Sequence, residues 1–177
     1  MRLVHLLPIL FLFFGFTSCS GSEQTAEEDP VIIQLSALDD FTLPEKPDYA
    51  PAYRHADKNA LAINAAKYKD EYAIAEYVFE GQHATYKVEL TSLQETDGES
   101  TYILFVDDKQ VASTTNAPTT IDYQLQNHDL GKIAIRPGQR LSVAFNSHSN
   151  GKIPEDGGFA FSRGRWTGLK LVLHRRR

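Results

Sequence analysis

The chain has one cysteine, Cys19, and one methionine, the initiator, in 177 residues. The sequence beyond Cys19 therefore contains no disulfide, no thiolate nucleophile and no sulfur ligand for a metal, and its folded part must be stabilised by burial. About 150 residues suffice for one core. Catalytic signatures are missing too: there is no Gly-x-Ser-x-Gly elbow, no His-Glu-x-x-His and no phosphate-cradling glycine loop. Long stretches of helical periodicity are lacking between the apolar segments, which argues against an α/β fold. A basic excess is absent as well. Eighteen basic and 23 acidic side chains give a net charge of −5, and four of the acids, Glu23, Glu27, Glu28 and Asp29, cluster near the start. A nucleic-acid groove needs a concentrated basic face, so no nucleic-acid partner is expected.

The longest apolar run that is present lies at the very beginning. Arg2 is followed by a stretch rich in Leu and Phe, and then by Phe16-Thr17-Ser18-Cys19, a small-small-Cys step. The run is short for a membrane span and has the layout of a cleaved signal peptide. It resembles a bacterial lipoprotein signal, which implies removal of residues 1–18, acylation of Cys19 and attachment to the membrane through a lipid anchor. A plain secretory signal cut nearby and an uncleaved anchor are the competing readings, and both also export the domain. Residues 19–30 have the composition of a solvated tether, and their acidic run is read as a spacer or a surface-export signal. The expected location is the cell envelope: outer membrane, periplasmic side or exposed surface. Residues 174–177, His174 and three arginines, read as a frayed basic tail.

From residue 31 to residue 173 the dominant signal is alternation with period two. In Thr85–Leu90 the residues Tyr86, Val88 and Leu90 share one face, and Lys87 and Glu89 the other. Thr96-Asp97-Gly98-Glu99 reads as a turn, and Thr101–Val106 as a second strand, the two strands forming a hairpin. Asp107-Asp108-Lys109 predicts another reversal and Arg136-Pro137-Gly138-Gln139 a type II turn. Further strands are expected over 59–66, 73–79, 110–113, 121–125, 132–135, 141–145 and 166–173. Segment 39–58, with Pro44, Pro47 and Pro51, should wrap irregularly around them. Eight or nine short strands with such turns predict an all-β fold, a single antiparallel β-sandwich or jelly roll.

The order of these motifs, from Asp39-Asp40-Phe41 through Asn59–Asn64, Ala75–Phe79, Ala84–Val88, Glu95–Ser100, Phe105–Lys109 and Leu141–Val143 to Trp166–Leu171, resembles a galactose-binding-like β-sandwich. It is similar to the non-catalytic carbohydrate-binding modules of families 6 and 35. The resemblance implies a polysaccharide or oligosaccharide partner. Such modules often hold a structural calcium near the first strand; here Ala37-Leu38-Asp39-Asp40 stands where Ala-Glu-Asp or Glu-Ala-Glu is expected, which leaves the calcium open and no cofactor certain.

Sugar binding needs flat apolar surfaces ringed by planar hydrogen-bonding groups. The segment after Phe145 is about 20 residues long, and long loops in compact domains tend to carry function. It supplies Asn146, His148, Asn150, Arg163, Arg165 and Trp166 as candidate ligand-binding residues, with Tyr68 as a second aromatic platform. Guanidinium forks would suit the carboxylates or sulfates of an acidic polysaccharide as well as hydroxyls. Trp166 could equally be core, and Arg163 or Arg165 could pair with Glu155 or Asp156. Glu95, Asp97 and Glu99 form a carboxylate cluster that could hydrolyse a glycoside or hold calcium, but a solvated turn is a poor place to keep two acids in different protonation states. No enzyme is therefore expected. The alternative to sugar binding is a structural or adaptor lipoprotein docking onto a larger envelope protein.

Overall fold

The computed structural model describes residues 30–174; the leader, Cys19, nearly all of the tether and the terminal arginines lie outside the described residues. Two antiparallel sheets pack face to face. The larger contains β2 (Ala52–His55), β3 (Ala60–Ile63), β12 (Trp166–Leu173), β5 (Ala84–Leu93) and β8 (Leu125–Ile135) in that order, with β1 (Ile32–Ser36) also paired to β12. The smaller has the order β4 (Tyr72–Val78), β9 (Arg140–Asn146), β6 (Thr101–Val106) and β7 (Lys109–Thr115). A two-residue ribbon, β10 (Pro154–Glu155) with β11 (Gly158–Phe159), projects from the long loop.

Alternation explains which faces meet. Tyr86, Val88 and Leu90 of β5 and Leu169 and Leu171 of β12 point inward, against Tyr102 and Leu104 of β6 and Val143 and Phe145 of β9, and all of these belong to one core cluster. Lys87 stays in solvent. The strand forecast holds for 73–79, 85–90, 101–106, 141–145 and 166–173, and within the alanine-rich stretch 59–66 residues 60–63 form β3, buried throughout. Asp107 and Asp108 close a β6–β7 hairpin, and Gly138, at φ +84°, occupies the turn position where only positive φ fits.

Three forecasts need correction. The turn at 95–98 exists, yet β5 and β6 are not a hairpin: β5 pairs with β12 and β8, while β6 pairs with β7 and β9. The segment between them crosses from one sheet to the other. Residues 121–124 are a turn in which Tyr123 takes φ +66°, and Ile121, Tyr123 and Leu125 are all exposed, so their alternation marks no buried face. The proline-rich segment is irregular over 43–51 but ends in the regular edge strand β2.

Candidate functional site

The described surface has an open cleft of about 480 Å³ beside the β2 edge. Tyr53 of β2, Asn64 and Tyr68 line it, and Lys67 and Arg163 add positive charge. Local structure fixes these positions. After β3 the chain makes one tight turn, in which the amides of Lys67 and Tyr68 donate to the Asn64 carbonyl at 3.0 and 2.9 Å. Ser147 then donates its hydroxyl to the Tyr68 carbonyl and ties this turn to the end of β9. Arg163 is held by its backbone: its carbonyl accepts from Ile63 N–H at 2.9 Å and its own N–H donates to Glu95 Oε2 at 2.9 Å. The guanidinium is left free to reach solvent. Lys67 Nζ sits 5.0 Å from the centre of the Tyr68 ring, a cation–π distance.

Behind the cleft runs a polar chain that is buried. Arg165, 2% exposed, donates Nη1 to Glu95 Oε1 and Nε to His55 Nδ1 at 3.0 Å. The His55 ring is 5.8 Å from that of Tyr53, so the chain reaches the cleft wall. Burial pushes the Glu95 carboxyl up to about 7, against the pull of Arg165 and of the backbone amides of Arg163 and Arg165. Burial, followed by the Arg165 charge, lowers the His55 imidazole, which suits a neutral ring accepting from the guanidinium. The Tyr102 hydroxyl donates to the Arg165 carbonyl at 2.9 Å, fixing the backbone as well.

Among the seven residues singled out from sequence, the structure brings Tyr68 and Arg163 together on the cleft. Trp166 is a correction: at 0% exposure it makes T-shaped contacts with Phe41 at 4.9 Å and Phe145 at 6.0 Å, so it is a core ring with no surface open to a ligand. Arg165 is corrected likewise, its partner being Glu95 rather than Glu155 or Asp156, because the 95–98 turn folds inward over the start of β12. Asn146 is buried and accepts from Thr101 N–H at 2.6 Å. Asn150 staples two loops, its amide donating to the Thr96 carbonyl at 3.0 Å. His148 is half-buried, with Nδ1 at 3.4 Å from Asp70 Oδ1. Tyr53, Asn64 and Lys67 were not anticipated. Asn64 lies within a predicted strand and Lys67 directly precedes Tyr68, whereas Tyr53 gives no signal until β2 is known.

Of the carboxylates that could hold calcium, Asp39, Asp40 and Glu95 are engaged elsewhere. Asp39 and Asp40 cap the single helical turn α1 (Ala37–Asp40): Ser36 N–H donates to Asp40 Oδ2 at 2.6 Å and its hydroxyl to Asp39 Oδ2 at 2.8 Å. Glu95 is committed to Arg165. Among the described residues no group of three or more His, Cys, Asp or Glu side chains converges on a metal position.

No family model matches the sequence, and no curated protein does. Solved structures do. A xanthan lyase from Paenibacillus shares 16% identity at a TM-score of 0.55, with 80% of this chain matched to 13% of that one. The likeness is one of fold. Also similar are the CBM36-1 domain of a multidomain xylanase from the hindgut metagenome of Trinervitermes trinervoides (11% identity, 81% of this chain and 96% of that, TM-score 0.48) and a carbohydrate-binding module CBM36 in complex with calcium and xylotriose (13% identity, 79% and 98%, TM-score 0.46). The β-sandwich expected from the sequence is the observed architecture.

Proposed function

We propose that this domain binds polysaccharide without catalysis, at the cleft between Tyr53 and Tyr68, as a lipid-anchored module of the cell envelope. The supporting observation is the composition of that cleft: two tyrosine rings, an amide and two cations around one open, concave surface. Tyrosine rings stack on the C–H faces of pyranoses, Asn64 can both donate to and accept from sugar hydroxyls, and Arg163 can fork onto a hydroxyl pair or a carboxylate. The anchor is supported by the sequence of residues 1–19 alone. A non-catalytic role agrees with the carboxylates: Glu95 is paired and buried, which takes one member out of the Glu95, Asp97 and Glu99 cluster.

The test is affinity electrophoresis of the protein through neutral, uronic and sulfated polysaccharides, with and without a calcium chelator. Retardation by one class is expected, and its loss on chelation would implicate a bound cation. Tyr68→Ala and Arg163→Ala should each abolish most of it; Arg163 is exposed, so its variant should shift the melting temperature by no more than about 2 °C, whereas Tyr68 is half-buried against the core cluster and its variant also loses packing. The adaptor reading has its own support in the exposed run Ile121, Tyr123 and Leu125, at 57, 42 and 68% exposure. Absence of retardation by every polysaccharide would favour it.

A further inference from the structure

The cleft beside Tyr53 and Tyr68 is lined at one side by Pro51 and Ala52. Those two residues also line a second open cleft, of about 560 Å³, formed by the proline-rich loop from Leu43. Each volume falls within the range of about 300–1,000 Å³ that small-molecule sites occupy, so each cleft has room for a unit of ligand of its own. Tyr49, half-buried, gives the second one an aromatic surface like those of the first. Beyond Tyr49 a smaller hollow of about 170 Å³ continues past Phe105 over the outer face of the four-stranded sheet, again sharing Tyr49 with its neighbour.

The loop that makes this groove is braced. Thr42 and Glu76 exchange backbone hydrogen bonds at 2.8 and 2.9 Å, Ala50 N–H donates to the Tyr72 carbonyl at 2.7 Å, and Lys46 Nζ pairs with Glu76 Oε1 at 2.5 Å. A proline-rich loop tied at three points has little freedom left to lose, so binding along it carries little ordering cost. A blind pocket selects the end of a chain. Two open clefts that share lining residues can admit its interior.

We infer that the ligand is held as an internal stretch of an extended chain, passing from the Tyr53–Tyr68 cleft over Pro51 and Ala52 to the cleft beside Tyr49. This rests on the carbohydrate reading of the first cleft and adds the length and direction of what is bound. Xylan, polygalacturonate and chondroitin sulfate serve as probes for retardation; the dimer, tetramer and hexamer of the polymer that retards the protein are then titrated calorimetrically. The wild-type protein should bind hexamer about tenfold or more tightly than dimer, a step of roughly 1.4 kcal/mol or more. Tyr49→Ala and Pro47→Met, the latter putting a longer side chain into the second cleft from a position that does not line the first, should bring hexamer affinity down to that of dimer and leave dimer binding intact. Pro47 is exposed, so its variant retains the fold should Tyr49→Ala lose it. Equal affinity for dimer and hexamer in the wild type, or a length dependence that persists in either folded variant, overturns the inference and leaves the first cleft standing. No retardation by any of the three polymers overturns both.

Discussion

Burying a guanidinium with a carboxylate strips both of water, and the Coulombic return offsets that loss only when geometry and further hydrogen bonds are good. At Glu95 and Arg165 both conditions are met: Oε2 accepts from Arg163 N–H, and Nε finds His55. Even so, desolvation outweighs the pairing and raises the Glu95 carboxyl from 4.5 to about 7. The folded protein then keeps a proton that the unfolded chain releases, so the contribution of Glu95 to stability is full below pH 4.5 and declines as pH rises to about 7. Asp97, raised by burial, acts in the same direction, whereas His55 and His128, lowered by burial, act oppositely and cost stability at low pH. A comparison with Glu95→Gln isolates the one group. The stability of the wild type relative to that variant should fall by about 3 kcal/mol across this window, read from urea unfolding at several pH values. A constant difference would return the Glu95 carboxyl to the ordinary range. None of this was legible in the sequence, where Glu95 is one acid in a turn and Arg165 lies two residues from the solvent-facing Arg163. Their different fates depend on where β12 begins, since Trp166 enters the core and turns its predecessor toward the 95–98 turn.

Strands were legible where one face is wet, because alternation is then written directly into the residues, as in β5. Partnership was not. The chain between β5 and β6 carries a good turn sequence, but Glu95 and Ser100 face inward, Ser100 sharing a 2.6 Å hydrogen bond with Ser162, and this inward traffic moves the next strand to the opposite sheet. β2 was hidden for another reason: its four residues lie on an edge, behind Pro51, with no alternation long enough to stand out from the irregular loop. The pairing of β1 with β12 depends on a close approach that glycine permits. A Cβ on Gly168 would lie 2.2 Å from the Leu35 carbonyl oxygen, a backbone atom that has no easy way to move. Gly168→Ala should therefore push β1 away from β12 and cost about 1–3 kcal/mol, the usual scale of overpacking. Faster amide hydrogen exchange over residues 32–36 would reveal it. Gly158→Ala is the control, since a Cβ there meets nothing closer than 3.8 Å. Equal exchange in the two variants would mean that β1 is held by something other than this contact.

At the scale of the molecule the two sheets share one core cluster, which includes residues of β1, β3, β4, β5, β6, β8, β9 and β12. Polar bonds cross between them as well: Asn116, which follows β7, binds Ser92 of β5 at 2.5 Å and His128 of β8 at 3.1 Å, and donates to the Tyr102 hydroxyl at 3.3 Å. This arrangement positions the cleft. Tyr53 is on the large sheet, whereas the Tyr68 turn is tied through Ser147 to the end of the small one, so the two rings hold their spacing only while the sheets stay packed. The sequence showed Tyr68 and Arg163 as suitable side chains but could not show that they meet, because their proximity is a property of the sandwich. Unfolding should accordingly be one event. Leu104→Ala in β6 and Leu171→Ala in β12, on opposite sheets, should each cost about 2–5 kcal/mol and lower a single transition seen alike by near-ultraviolet circular dichroism and calorimetry. Polysaccharide retardation should vanish at that same transition in both variants. If Leu171→Ala instead split the melt, with one sheet outlasting the other, the cleft would need only part of the sandwich, and retardation would follow whichever transition holds Tyr53 and Tyr68 together.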